Sequence, residues 1–173
     1  ILELYDFKSY SIQMILDIVD MNEKQRFQID TRKEGYYIRA NQGHSFRIDA
    51  DLAMTKLTLD NLKLLNIDPD NIVHGTYFSA WEQIKNSEGL NKMSRQHIHF
   101  ANQIPEQSKV ISGMRKTCQV IIYIDIVKAI ESGLTFYLSN NKVILSEGNI
   151  RGFIPSEFFT KILNRKTLEP LNS

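Results

Sequence analysis

The sequence predicts an α+β fold, and three observations carry that reading. One amphipathic stripe near the start marks a short helix. Two short runs after it, parted by a polar loop, mark an antiparallel pair of strands. From about residue 71 onward, short strand and helix patterns alternate, with no internal repeat and no low-complexity tract. The chain has 173 residues, 42% of them hydrophobic. That suits one compact domain, or two small ones sharing an interface, with enough apolar side chains to build a core.

Ser11 is placed to cap a helix running through Asn22. Within it Ile12, Ile15, Leu16 and Val19 fall at i, i+3, i+4 and i+7, one apolar face. Arg26–Ile29 and Tyr36–Ala40 read as strands of a hairpin, with Gly35 closing the polar loop between them. A helix followed by such a hairpin is the second half of a winged-helix unit. Residues 1–48 are therefore assigned to the remainder of a winged-helix lobe. Residues 49–70 are mixed and polar, run into NIDPDN, and are read as a connector with one short element.

Residues 71–173 form the second unit, beginning at IVHGT. Thr76–Asn86 reads as a helix, with Trp81 and Ile84 three apart and a stop at Gly89. HIHF reads as a short strand. Val120–Asp125 is a nearly continuous apolar run, which predicts a strand buried on both faces. Asp125 caps a short helix that ends before Gly133. FYLS and KVILS are further strands, joined by an Asn-Asn tight turn, and Ser156 caps a last short helix, EFFTKIL.

The net charge of +1 does not by itself point to nucleic acid. Its distribution is more informative. Between Asn91 and Lys116, Lys92, Arg95, Lys109, Arg115 and Lys116 stand against Glu106 alone, and His97 and His99 lie in the same window. Such a local field suits phosphate groups, and it equally describes a solvated basic surface. The single cysteine, Cys118, excludes an intramolecular disulfide and suggests a reducing, intracellular compartment; placed before an apolar run, it reads as a buried, inert thiol. No apolar run approaches the roughly 20 residues of a membrane helix. The chain opens ILELYDF, without an initiator Met or a signal pattern, as expected of a fragment of a longer gene product.

Three stretches carry candidate chemistry. In SRQHIHF, alternation along a strand would put Arg95, His97 and His99 on one face and Ile98 and Phe100 in the core, giving a row of donors for an anion. His74 with the HxH pair could instead supply three zinc nitrogens, although no carboxylate or thiolate completes the set and a neighbouring arginine opposes a dication. Each of His97 and His99 could also be a hydrogen-bonded core imidazole. In IRANQGHS, Arg39, Asn41, Gln42, His44 and Ser45 crowd hydrogen-bonding side chains around Gly43. In ISGMR, Ser112 and Gly113 allow close backbone approach, and Arg115 can clamp a phosphate with two bonds. No Walker sequence and no GxGxxG is present.

Taken in order, KQRF, IRANQGHS, VHGT, EGL, SRQHIHFA, VISGMR, VILSEG and GFIP resemble the NAD-dependent RNA 2′-phosphotransferases that act on spliced tRNA, over about Val19 to Phe159. The resemblance implies a partial winged-helix N-terminal lobe for RNA and an ADP-ribosyltransferase-like C-terminal lobe with a split β-sheet for NAD. It implies transfer of an internal RNA 2′-phosphate to NAD, giving 2′-hydroxyl RNA, ADP-ribose 1″,2″-cyclic phosphate and nicotinamide. It also implies an intracellular, cytoplasmic or nuclear monomer that needs no metal.

By the same resemblance, Arg39 and Arg95 match two essential arginines. His74 matches the residue that bonds the adenosine ribose, and the Gly75 backbone, beside Thr76, would read the nicotinamide amide. His97 or His99 matches a second ligand histidine. Ser112, Gly113 and Arg115 match the part that holds the NAD phosphates, and Asn41, Gln42, His44 and Ser45 fall to RNA phosphate. Val143 or Ile144 stands where other ADP-ribosyltransferases carry a catalytic glutamate; an apolar residue there spares a phosphate nucleophile from repulsion. The family's adjacent Arg-His pair in a leucine-rich N-terminal helix has no counterpart, because the sequence holds no Arg-His dipeptide. Two alternatives follow: a catalytically impaired RNA- or nucleotide-binding module, or an ADP-ribosyltransferase acting on nucleic-acid 5′-phosphates.

Overall fold

The computed structural model describes residues 2–41, 49, 54–103 and 113–171. The chain divides into two compact units, Ile1–Gln42 and Gly43–Ser173. Among the described residues no helix is long and apolar enough to cross a membrane.

The first unit holds a 3-10 turn, Tyr5–Phe7, then α1, Ile12–Asp20, and a hairpin of β1, Phe27–Arg32, and β2, Gly35–Ala40. Ser11 caps α1 as expected: its Oγ accepts the Met14 N–H at 3.2 Å. Of the predicted stripe, Val19 is buried and Ile15 and Leu16 are half-buried, while Ile12, in the first turn, stays exposed. The hairpin is longer than its polar middle suggested. Arg32 pairs with Gly35, so only Lys33 and Glu34 form the turn. Asp30–Arg32 stay in the ladder because their side chains remain in water, where a strand places no demand on polarity. Gly35 takes a φ of +134°, a conformation that favours glycine.

In the second unit the strands are β3, Thr55–Lys56; β4, Val73–Thr76; β5, Gly89–Asn91; β6, Ile98–Phe100; β7, Val120–Ile124; β8, Tyr137–Leu138; β9, Ile144–Ser146; β10, Phe153–Pro155; and β11, Phe159–Asn164. Among the described residues the helices are α2, Phe78–Lys85, and α3, Ile126–Glu131. One sheet has the order β11-β7-β4, a second β3-β8-β9-β6, and β10 pairs with β5. The pairings are antiparallel throughout. The two larger sheets meet at one bridge, where Val73 and Ala101 exchange two backbone hydrogen bonds of 2.9 Å.

The α+β class is what the sequence predicted, and several elements fall where expected. β7 is buried at all five positions, and Asp125 caps α3 by accepting the Lys128 N–H at 2.9 Å. Two expectations are corrected. VHGT is a strand, and the helix after it begins at Phe78 rather than Thr76. EFFTKIL is not a helix: after a 3-10 turn at Ser156–Phe158 it becomes β11. The reason lies in β7, whose buried backbone needs a partner on each side. β4 supplies one and β11 the other. The segment read as a connector supplies β3 and buries Leu57, Leu62 and Ile67 in the core. Those three stand five apart, which matches neither a helix nor a strand period.

Candidate functional site

The bridge between the two sheets sets the site. At the two ends of β4, the Ile72 carbonyl accepts from Ile124 of β7 at 2.9 Å and the Thr76 carbonyl from Gln119, just before β7, at 2.7 Å, while Val73 bonds Ala101 on the other side. By the alternation of an antiparallel strand, the Gly75 N–H and C=O point the same way as those of Val73. Continued by one rung, the Val73–Ala101 register would set Gly75 opposite His99. Instead the His74 ring bonds the His99 carbonyl through Nδ1 at 2.9 Å. A side chain thus occupies the acceptor that the ladder would use, and the sheets part there.

His99 repeats the pattern, its Nδ1 bonding the His97 carbonyl at 3.1 Å. A carbonyl only accepts, so each Nδ1 carries the proton and each Nε2 keeps a lone pair. Both rings stay neutral near pH 7. Burial, then the Arg95 charge, holds the His99 pKa down at about 4, and burial with a smaller push from Arg95 lowers His74. The anticipated row of cationic donors is therefore corrected: Arg95 supplies the charge, and His74 and His99 supply acceptors. Arg95 is also not in the strand. It is exposed in the turn after Lys92, its N–H bonding the Lys92 carbonyl at 3.1 Å, with Met93 at a φ of +57°. Its influence on both rings still places it with them.

His97 is buried; its Nε2 lies 3.8 Å from Glu147 Oε1 and its ring meets Tyr137 edge-on at 6.5 Å. Among the described residues no three His, Cys, Asp or Glu side chains gather as metal ligands. Thr76 is buried beyond Gly75. A Cβ at Gly75 would collide with the Met114 side chain and lie 2.9 Å from Cys118 Sγ, so any larger residue there would push Met114 and Cys118 aside. Gly113 has a φ of +92°, and a Cβ there would sit 2.6 Å from the Phe100 carbonyl oxygen and 3.1 Å from Val143 Cγ1. Gly113 is thereby seated against the histidine strand and against Val143, which is wholly buried, as is Ile144.

Arg115 is exposed, and the phenol of Tyr77 is bonded by Thr117 Oγ1 at 2.7 Å. The Thr117 bond first, and Arg115 second, pull the Tyr77 pKa below its ordinary 10. Sequence reasoning missed Tyr77 and Thr117. The signal for Tyr77 was its place directly after HGT; Thr117 carried none, since its role depends on a contact 40 residues away.

In the first unit, Arg39 is exposed on β2 and its Nη2 donates to Gln28 Oε1 at 3.0 Å. By register it shares a hairpin face with Asp30, Arg32 and Tyr37, where Arg32 lies 4.5 Å over the Tyr37 ring. Asn41 ties the hairpin exit instead of standing free for a ligand: its Nδ2 donates to the Gln25 carbonyl at 2.7 Å, and its N–H to that of Arg26 at 2.8 Å. Gln42, His44, Ser45 and Ser112 lie outside the described residues.

A family model described as RNA 2′-phosphotransferase, Tpt1 / KptA family, matches residues 1–148. The chain belongs to this family. Among the curated relatives in the RNA 2′-phosphotransferase family, a tRNA 2′-phosphotransferase 1 of Danio rerio is 37% identical over 94% of this chain, which spans 70% of that protein. The tRNA 2′-phosphotransferase 1 of Homo sapiens is 38% identical over 99% of this chain, which spans 66% of it. A probable RNA 2′-phosphotransferase of Rhizobium johnstonii is 35% identical over 77% of this chain, which spans 63% of it.

Proposed function

We propose that the chain removes an internal 2′-phosphate from RNA, as at the splice junction of tRNA, by transferring it to NAD. The observation that carries this reading is a pair of neutral imidazoles with locked tautomers beside one guanidinium. A dinucleotide presents ribose hydroxyls, which donate, next to phosphates, which need positive charge. His74 and His99 offer Nε2 lone pairs to the hydroxyls, and Arg95 and Arg115 offer charge to the phosphates. The Gly75 N–H and C=O, aimed at the strand edge, form the donor–acceptor pair that a planar carboxamide needs.

In the reaction, a 2′-phosphate oxygen bonds the anomeric carbon of the nicotinamide ribose, and nicotinamide leaves with the glycosidic electron pair. The 2″-hydroxyl then attacks phosphorus, and the RNA 2′-oxygen leaves and takes up a proton. The attacking phosphate is already an anion, so the first step needs positioning more than a base. The apolar Val143 or Ile144, standing where a carboxylate would repel that anion, fits this step. The second transition state gathers charge on the phosphoryl oxygens, which a guanidinium such as Arg95 stabilises without changing protonation. In this reading the hairpin face bearing Arg39 belongs to the RNA side.

The test is incubation with NAD and an oligonucleotide carrying one internal 2′-phosphate, followed by mass analysis. Expected products are the 2′-hydroxyl oligonucleotide, nicotinamide and a cyclic phosphate of ADP-ribose, with activity retained in EDTA. A 5′-phosphorylated oligonucleotide that gains ADP-ribose while the 2′-phosphate persists would redirect the reading to nucleic-acid 5′-end modification.

A further inference from the structure

Arg165 lies beyond the stretch matched by the family model, immediately after β11. Its guanidinium nonetheless reaches back to the loop that carries Arg115. Nη1 donates to the carbonyls of Arg115, at 3.4 Å, and of Lys116, and lies 3.4 Å from Cys118 Sγ. Its backbone is fixed too. The Arg165 N–H bonds the Gln119 carbonyl at 2.9 Å, and the Asn164 side chain accepts from Lys166 N–H at 2.9 Å in the turn that follows. The Cys118 N–H bonds the Arg115 carbonyl at 3.2 Å, so the loop closes on itself directly under the guanidinium. On the same loop Thr117 Oγ1 bonds the Tyr77 hydroxyl at 2.7 Å, and Arg115 acts on that phenol electrostatically.

We propose that Arg165 is a positioning residue: it gathers the carbonyls of the Arg115–Cys118 turn and so aims Arg115 at the phosphates of the dinucleotide. The functional half rests on the reading of Arg115 given above. Physically, a turn whose carbonyls converge inward is favoured by a cationic donor placed among them, here Arg165 Nη1, while Arg115 is left exposed. A lysine would supply a donor and charge, but on a flexible stem without the planar guanidinium. Arg165 touches neither the substrate nor the reacting atoms in this account; it acts through Arg115.

Three readouts test it in Arg165→Met and Arg165→Lys. The first is the labelling rate of Cys118, the sole cysteine, by a disulfide thiol reagent without any ligand. The second is the phenol titration of Tyr77, taken by difference from Tyr77→Phe. The third is KM for NAD against kcat. Arg165→Met is expected to speed Cys118 labelling about tenfold, return Tyr77 toward pH 10, and raise KM for NAD about tenfold with kcat within about twofold, as loss of charge-assisted hydrogen bonds would. Arg165→Lys should recover part of each. Unchanged labelling and an unchanged Tyr77 titration would overturn the latch whatever the kinetics do. Shifts in both with KM unmoved would overturn the link to NAD. If the wild type performs no NAD-dependent transfer, the proposed activity fails, while labelling and titration still decide the latch. Should Arg165→Met not fold, Arg165→Lys reads the same quantities with smaller changes.

Discussion

Acid should weaken the second unit through His99, and the size of the effect follows from its ring. In the fold its pKa lies at about 4; in the unfolded chain it returns to 6.5. Between those values the unfolded state binds the proton and the folded state does not, so stability falls as pH falls through that window and is fully present above 6.5. At about 1.4 kcal/mol per pH unit, going from about pH 7.5 to about pH 5 removes about 2 kcal/mol through this ring alone. His74, also depressed, pulls in the same direction. The assay is urea unfolding at a series of pH values for the wild type and for His99→Gln, whose amide has no proton to gain. The slope of stability against pH should flatten in the variant by about the stated amount. An NMR titration placing His99 above pH 6 in the folded protein, or equal slopes in the two proteins, would refute the reasoning.

Other outcomes follow from the same geometry. Arg95→Ala should cut transferase turnover by about two to three orders of magnitude in single-turnover assays, and should raise the His99 pKa by NMR, since the Arg95 charge helps hold it down. Gly113→Ala combines a φ of +92° with a Cβ 2.6 Å from the Phe100 carbonyl, and should cost about 2 kcal/mol or more in chemical unfolding. Ser11→Ala removes the α1 cap and should lower stability by about 1 kcal/mol, read from the unfolding midpoint. Gly75→Ala should displace Met114 and Cys118 and change the reactivity of the Cys118 thiol, measurable by the labelling rate.

Elements whose own residues set their state were legible in the sequence. Ser11 and Asp125 each announce a helix by offering an oxygen to an orphan N–H, and β7 announces burial by its uninterrupted apolar run. Elements set by a distant partner were not. EFFTKIL carries a helical pattern, yet the open edge of β7 decides its state. Thr76 looks like the start of a helix until β7 pairs with it. The site shows the same division. His74, His99 and Arg95 stand out by residue type, but the charge state of the two rings depends on carbonyls and burial that no spacing reveals. Thr117 and Arg165 act only through chain segments remote in sequence.

The seam between the sheets has a consequence for mutagenesis. His74 keeps the two ladders from zipping by one more step, because its imidazole claims the oxygen that Gly75 would otherwise meet. Replacing His74 with a side chain too short to reach that oxygen would withdraw an acceptor and let the seam heal over the space beside it. A dead His74 variant would then report a shut doorway as much as a missing hand, and only coordinates of that variant would tell the two apart.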